Sequence, residues 1–281
     1  MLLLVDLDGV VYRGSEPIAG IAGLLARRAA AGDEVVYVTN NSMWYRAEYV
    51  ARLASMGAPV SADRVVSSPR ATALYLREID PGLERVLALG AAGLGRELAD
   101  VGFSVVMAGE AAERVLREGL DRFEASGRPG AVVVGLDPEL SWERLAVAAS
   151  SIRAGARFVA TNRDPIYPTE LGLMPGSGAV VAAVEAASGV SPVSIGKPAP
   201  LLLEEAARAV GSRAADAVMI GDGILTDLPA ARAFGARCIV MLTGVTSRAE
   251  AEELQGAEAP DAIAADAAEL EAVLARWRAA S

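Results

Sequence analysis

The stretch LLLVDLDGVVYRG, residues 2–14, decides how the rest of the chain is read. Four apolar residues run into Asp6, and a second carboxylate, Asp8, follows two positions later. A short, unbroken apolar run of this kind suits a strand buried on both faces, as in a parallel sheet covered by helices. Two like charges at its end each make the other harder to ionise, so a nearby positive charge is expected to offset them.

Working outward, six more runs share that character: EVVYVT (34–39), RVLALG (85–90), AVVVGL (131–136), RFVAT (157–161), AVMIG (217–221) and ARCIVML (236–242). Helical patterns lie between them, among them IAGLLARRAAAG (21–32), WYRAEYVARLASMG (44–57), PLLLEEAARAVG (200–211) and LPAARAFG (228–235). Several close on a glycine, as helix C-caps do, and the Ala-rich C-terminal stretch reads as a last helix. Strands alternating with helices predict an α/β fold with a doubly wound, Rossmann-like parallel sheet. Carboxylate-bearing loops gather near both ends of the chain, and the middle has strands and helices of its own. We therefore expect a discontinuous core, residues 1–80 and 188–281, interrupted by an inserted α/β cap domain over residues 81–187.

Composition narrows the chemistry. The 281 residues include no histidine and one cysteine, which removes Ser-His-Asp and Cys-His mechanisms and thiolate or imidazole metal centres. A metal here must be held by oxygen, which favours magnesium or manganese. A net charge of −10 argues against a nucleic-acid partner. Nothing reads as a signal peptide or as the ~20 apolar residues of a membrane span, so no membrane partner is expected. Cys238, set in RCIVML, reads as a small buried hydrophobe, and a lone thiol fits a reducing, cytoplasmic setting.

Ligands of open parallel sheets bind beyond the carboxyl ends of the strands, and the unusual polar groups of this chain all follow strands. Asp6 and Asp8 follow the first, Thr39, Asn40, Asn41 and Ser42 the second, and Asp222 and Asp227 the strand AVMI; Lys197 lies in SIGKPAP. Each has a plainer reading. Asn41, Ser42 or Thr226 can cap a helix, Lys197 alone can be a solvated lysine, and an Asp after a strand is often a turn residue. What those readings leave unexplained is that all these groups gather at one edge of one sheet. A divalent cation held by the side chains of Asp6 and Asp222 and the main-chain carbonyl of Asp8 would offset the crowding. Backbone N–H groups after the first strand and behind Asn41 would hold an anion, and the sum is a site for a phosphate group.

The segments DLDGVVYRG, VTNNS, IGKPAP and IGDGILTD, in that order, resemble the four motifs of the haloacid dehalogenase superfamily. NSMWYRAEYVARLASMG, ALGAAGLGRELADVGF, ATNRDPIYPTELGLMPGSGAVVAAVEAASG and LTGVT are similar to its subgroup IIA, which carries a large α/β cap between the second and third motifs. That subgroup includes phosphatases of 4-nitrophenyl phosphate, phosphoglycolate, nucleoside monophosphates and pyridoxal phosphate. The resemblance implies a Mg²⁺-dependent hydrolase of small phosphorylated metabolites. It makes Asp6 the nucleophile that becomes an aspartyl-phosphate, and Asp8 the group that protonates the leaving alcohol and then activates water. It assigns the phosphoryl oxygens to Thr39, the backbone at Asn40 and Lys197. Asp6, Asp8 and Asp222 become metal ligands, with Asp227 and Asn41 behind them.

Asn162, Arg163, Asp164 and Tyr167 lie in TNRDPIYPTELG (161–172), read as a loop after a strand, and Asn162, Asp164 and Tyr167 are the expected substrate contacts. An apolar cap surface would offer a homodimer contact. Glycines 90, 93 and 95 are spaced GxxGxG rather than the GxGxxG of a dinucleotide site, so they read as a turn and a helix start. Two other functions fit the same residues: phosphoryl transfer to an acceptor other than water, and a non-enzymatic switch in which phospho-Asp6 persists. Asp8 counts against the switch, because an acid–base group there shortens the acyl-phosphate's life.

Overall fold

A computed structural model describes residues 1–120, 123, 127–169 and 171–279. They divide into two compact units, one formed by Met1–Thr39, Ala47–Val66 and Lys197–Ser281, the other by Asn40–Arg46 and Ser67–Gly196.

The first unit is built on a six-stranded sheet. In chain order its strands are β1 (Leu2–Asp6), β4 (Glu34–Thr39), β5 (Val65–Ser67), β13 (Ala217–Gly221), β14 (Arg237–Met241) and β15 (Ala262–Ala264). Strands β2 (Tyr12–Arg13) and β3 (Glu16–Pro17) form a small separate hairpin. The sheet order is β15-β14-β13-β1-β4-β5, and β1 pairs in parallel with β4 on one side and β13 on the other. Here the chain's path reverses across the sheet, which is where open α/β sheets open a crevice for ligands. Every residue of β1 is buried, and the apolar side chains Leu2 to Val5 each contribute roughly 1.5–3 kcal/mol by leaving water. The helix Ile21–Ala30 buries Ile21, Leu24, Leu25 and Arg28, one helical stripe, and the helix Asp227–Phe234 ends on Gly235 in the left-handed conformation that glycine adopts without strain.

The second unit has its own five-stranded sheet. Its strands are β6 (Arg85–Leu89), β7 (Ser104–Met107), β8 (Ala131–Val134), β9 (Arg157–Ala160) and β12 (Val193–Ser194), in the order β12-β9-β8-β6-β7, and all pairs are parallel. Leu87, Leu89, Val132, Val134 and Phe158 meet Val147, Ala148, Val180 and Val184 of the helices Trp142–Arg153 and Ser177–Ser188 in one apolar core.

In the second unit the helix Ser68–Ile79 packs on the helix Ala92–Asp100. The stretch 161–172 is not simply a loop: β10 (Ile166–Thr169) pairs antiparallel with β11 (Gly172–Pro175). Its sequence hides the hairpin because β11 is exposed throughout and shows no apolar–polar alternation. The glycine-rich segment serves close packing. A Cβ at Gly93 would lie 2.5 Å from the Met43 carbonyl oxygen, and one at Gly95 would lie 2.5 Å from Met107 Sδ. Among the described residues no helix is long and apolar enough to cross a membrane.

Candidate active site

Asp6 ends β1, Thr39 ends β4, and Asp222 directly follows β13, so three adjacent parallel strands deliver these side chains to the same edge. Lys197 is brought to them by the segment preceding the helix Leu201–Ala209, and it is only 3% exposed. Its Nζ lies 2.8 Å from Asp6 Oδ1 and 2.6 Å from Asp227 Oδ1. The solvated-surface reading of Lys197 is therefore wrong. Asp227 Oδ2 in turn accepts from the Gly223 amide at 2.9 Å, and Asp222 Oδ2 accepts from the Val245 amide at 2.7 Å. Thr226 makes no side-chain cap for the helix it precedes.

Carboxylate oxygens of Asp6, Asp222 and Asp227 all lie within 4.8 Å of one another, and all three residues are buried. With Lys197 as the one ammonium among them, the group keeps a formal charge of −2. Burial raises the Asp6 pKa well above the ordinary value; Lys197 pulls it down, but Asp227 and Asp222 push it up again. Asp222 is pushed up to about 6 by burial and by Asp227. Burial also works against the charge of Lys197, yet Asp227 and Asp6 outweigh it and hold the ammonium above the usual lysine range. A buried excess of two negative charges is costly unless a cation answers it, and an all-oxygen donor set with charge −2 suits a hard divalent ion. The residues present thus fit Mg²⁺.

Asp8 is the exposed member of the group. The protein packed around its inner side still raises its pKa, against the pull of Arg52 and of the Gly14 backbone. The intervening backbone leaves no room for side chains. Gly9 has φ +77°, and a Cβ there would meet Asp222 Oδ2 at 2.2 Å; one at Gly244 would meet the same atom at 1.7 Å. Residues 242–246, LTGVT, stand out in the sequence only by their resemblance to the subgroup, yet the Val245 amide is what holds Asp222. Their signal in the sequence is a TGV turn after an apolar strand.

In the second unit Asn40 Nδ2 donates to both oxygens of Asp164, at 3.1 and 3.2 Å, and Asn162 Nδ2 donates to Asp164 Oδ2 at 2.8 Å. Asn162 Oδ1 accepts from Ser177 Oγ at 2.7 Å and from Thr161 Oγ1 at 3.0 Å. The Asn40 carbonyl accepts from Ser68 Oγ at 2.7 Å. Asn162, 3% exposed, thus directs its amide onto Asp164. Asn41 Oδ1 accepts from the Met43 amide at 2.9 Å, and its Nδ2 makes a long 3.4 Å contact with the half-buried Tyr167 hydroxyl. Ser42 Oγ accepts from the Leu136 amide at 2.9 Å rather than capping the helix that starts at Arg46. Cys238 is fully buried on β14, and burial pushes its thiol up, away from reactivity.

Comparison with known proteins now bears on this geometry. The haloacid dehalogenase-like hydrolase family matches residues 3–104, and a HAD-hydrolase-like family matches residues 194–270. The chain belongs to the haloacid dehalogenase-like hydrolases. It is 38% identical over 265 residues to D-glycerol 3-phosphate phosphatase of Mycobacterium tuberculosis, covering 94% of this chain and 69% of that one. It is 36% identical to the acid sugar phosphatase of Staphylococcus saprophyticus, covering 89% of each. The crystal structure of a glycerol phosphate phosphatase from M. tuberculosis in complex with magnesium matches with a TM-score of 0.81 at 37% identity, over 96% of this chain and 75% of that one. Asp6, Asp8, Asp222 and Asp227 all lie inside the two matched segments, and most of the second unit's sheet lies outside them.

Proposed function

We propose that this phosphoric monoester hydrolase of the haloacid dehalogenase-like family cleaves small phosphorylated metabolites through an aspartyl-phosphate on Asp6. The carrying observation is Asp6 at the end of the central strand with Lys197 Nζ 2.8 Å away and Asp222 and Asp227 around it. Asp6, Asp222 and the Asp8 carbonyl would hold Mg²⁺, with Asp227 orienting Lys197 beside them. When bound, the ion supplies positive charge to the phosphoryl oxygens and keeps the crowded carboxylates ionised.

An ionised Asp6 oxygen attacks phosphorus while the bond to the leaving oxygen breaks, and Asp8 gives that oxygen its proton. Asp8, now a carboxylate, then takes a proton from the water that attacks phosphorus, releasing inorganic phosphate and restoring Asp6. The Lys197 ammonium, the Thr39 hydroxyl and the Asn40 amide, peptide-bonded to Thr39, meet charge on the equatorial oxygens. Stabilisation of this kind is preorganised electrostatics and is the main source of rate in phosphoryl transfer. Tyr167 is the proposed contact for the leaving group. A cytoplasmic setting is supported by the lone buried thiol, and a homodimer through the second unit by the exposed Leu171 and Leu173 beside the hairpin turn.

The test is phosphate release from a panel of phosphate esters with Mg²⁺. Activity should stop with EDTA and fall to near background in Asp6→Asn. Normal turnover by that variant, or without any divalent ion, refutes the proposal.

A further inference from the structure

Asp8 is held by a turn rather than by a strand. Leu7 O accepts from the Val11 amide at 2.9 Å and the Tyr12 amide at 3.2 Å, and the Gly9 amide donates to Tyr12 O at 2.8 Å. Asp8 and Tyr12 also form an isolated β-bridge. Two side chains from elsewhere in the same unit clasp this turn. Thr243 Oγ1 donates to the Gly9 carbonyl at 2.6 Å. The Arg52 guanidinium lies over the Tyr12 ring, with Cζ 3.7 Å from its centroid, and Nη2 donates to the Gly14 carbonyl.

Arg52 is well suited to that position. It follows the buried Tyr49 on the helix Arg46–Ser55 and precedes the buried Leu53, so the helix face that packs inward fixes where its stem emerges. Tyr12 beneath it is only 2% exposed. A planar guanidinium can stack on a ring and donate at its edge at once, which an ammonium cannot.

We propose that Arg52 is a positioning residue for the acid–base step, clasping the Tyr12 ring and the Gly14 carbonyl so that the turn carries the Asp8 carboxyl to the leaving oxygen. This rests on the reading that Asp8 protonates that oxygen. A displacement of about 1 Å in a reacting group costs on the order of 10²-fold in rate, and loss of a general acid costs about 10²–10⁴-fold. Both penalties depend on how much the leaving oxygen needs a proton. An alkoxide leaves poorly without one, whereas 4-nitrophenolate leaves readily.

The experiment compares kcat/KM for glycerol 3-phosphate and 4-nitrophenyl phosphate in the wild type, Arg52→Met, Arg52→Lys and Asp8→Asn. This constant reports the first step alone, so slower hydrolysis of phospho-Asp6 does not enter it. Arg52→Met should lose about 10–100-fold on the alkyl ester and less than about 3-fold on the aryl ester, mostly in kcat. Arg52→Lys, which keeps the stem and charge, should recover part of the loss, and it carries the comparison alone if the Met variant does not fold. Asp8→Asn should show the same selectivity more strongly. If Asp8→Asn discriminates between the esters and neither Arg52 variant does, or Arg52 variants slow both equally, the role of Arg52 is overturned and that of Asp8 stands. If Asp8→Asn does not discriminate, the acid role of Asp8 falls and the inference with it.

Discussion

Replacing Lys197 by Met isolates the electrostatics of the site. The substitution keeps much of the side chain's volume and removes a charge that is 3% exposed and ion-paired to Asp6 at 2.8 Å and to Asp227 at 2.6 Å. Asp6, Asp222 and Asp227 are then left with a formal charge of −3 in a space where their oxygens lie within 4.8 Å. Removing one partner of a buried pair costs about 3–5 kcal/mol, because the remaining charge stays buried and unanswered. With a urea slope of about 2 kcal/mol/M, the midpoint should fall by roughly 2 M in the metal-free protein. Adding Asp227→Asn to Lys197→Met returns the charge to −2 while still accepting from the Gly223 amide, so it should regain part of that loss. The double-mutant cycle should give a coupling energy of about 1–3 kcal/mol. A midpoint shift below about 0.5 M together with zero coupling would refute the charge accounting, and with it the argument that a divalent ion completes the site.

Asp222 has a folded-state pKa of about 6 against an unfolded value near 3.9, so the folded chain binds its proton more tightly. Its contribution is favourable at low pH and is lost as pH rises through 6, so metal-free Asp222→Asn should be more stable than wild type at pH 7, by on the order of 2 kcal/mol, with the gap closing towards pH 4. Thermal melts across that range check this, and Mg²⁺ should raise the wild-type midpoint and not that of the variant. Asp164→Ala removes the acceptor shared by the amides of Asn40 and Asn162, and should cost about 1–3 kcal/mol in a denaturation curve while Asp164→Asn costs less.

Much of the core was legible because its signals are local. A buried parallel strand must be continuously apolar, so β1, β4 and β13 announced themselves, and a carboxylate at the end of such a strand is unusual enough to mark Asp6 and Asp222. The hairpin β10–β11 was not legible, since exposed strands carry no apolar signature. Nor were the strands β7 and β12, short and with partly or fully exposed residues.

The sequence by itself determined which residues could do chemistry: with no histidine and one buried thiol, only carboxylates, lysine and hydroxyls were left, ordered along the chain in four recognisable segments. It could not determine who holds whom. That Lys197 sits between Asp6 and Asp227, that the Val245 amide fixes Asp222, and that Asp164 is tied to Asn40 are contacts between residues 23 to 191 positions apart in the chain, set by sheet order and register. Side-chain pairing at that range depends on which strands become neighbours, and only the packing of buried faces in the folded chain decides that.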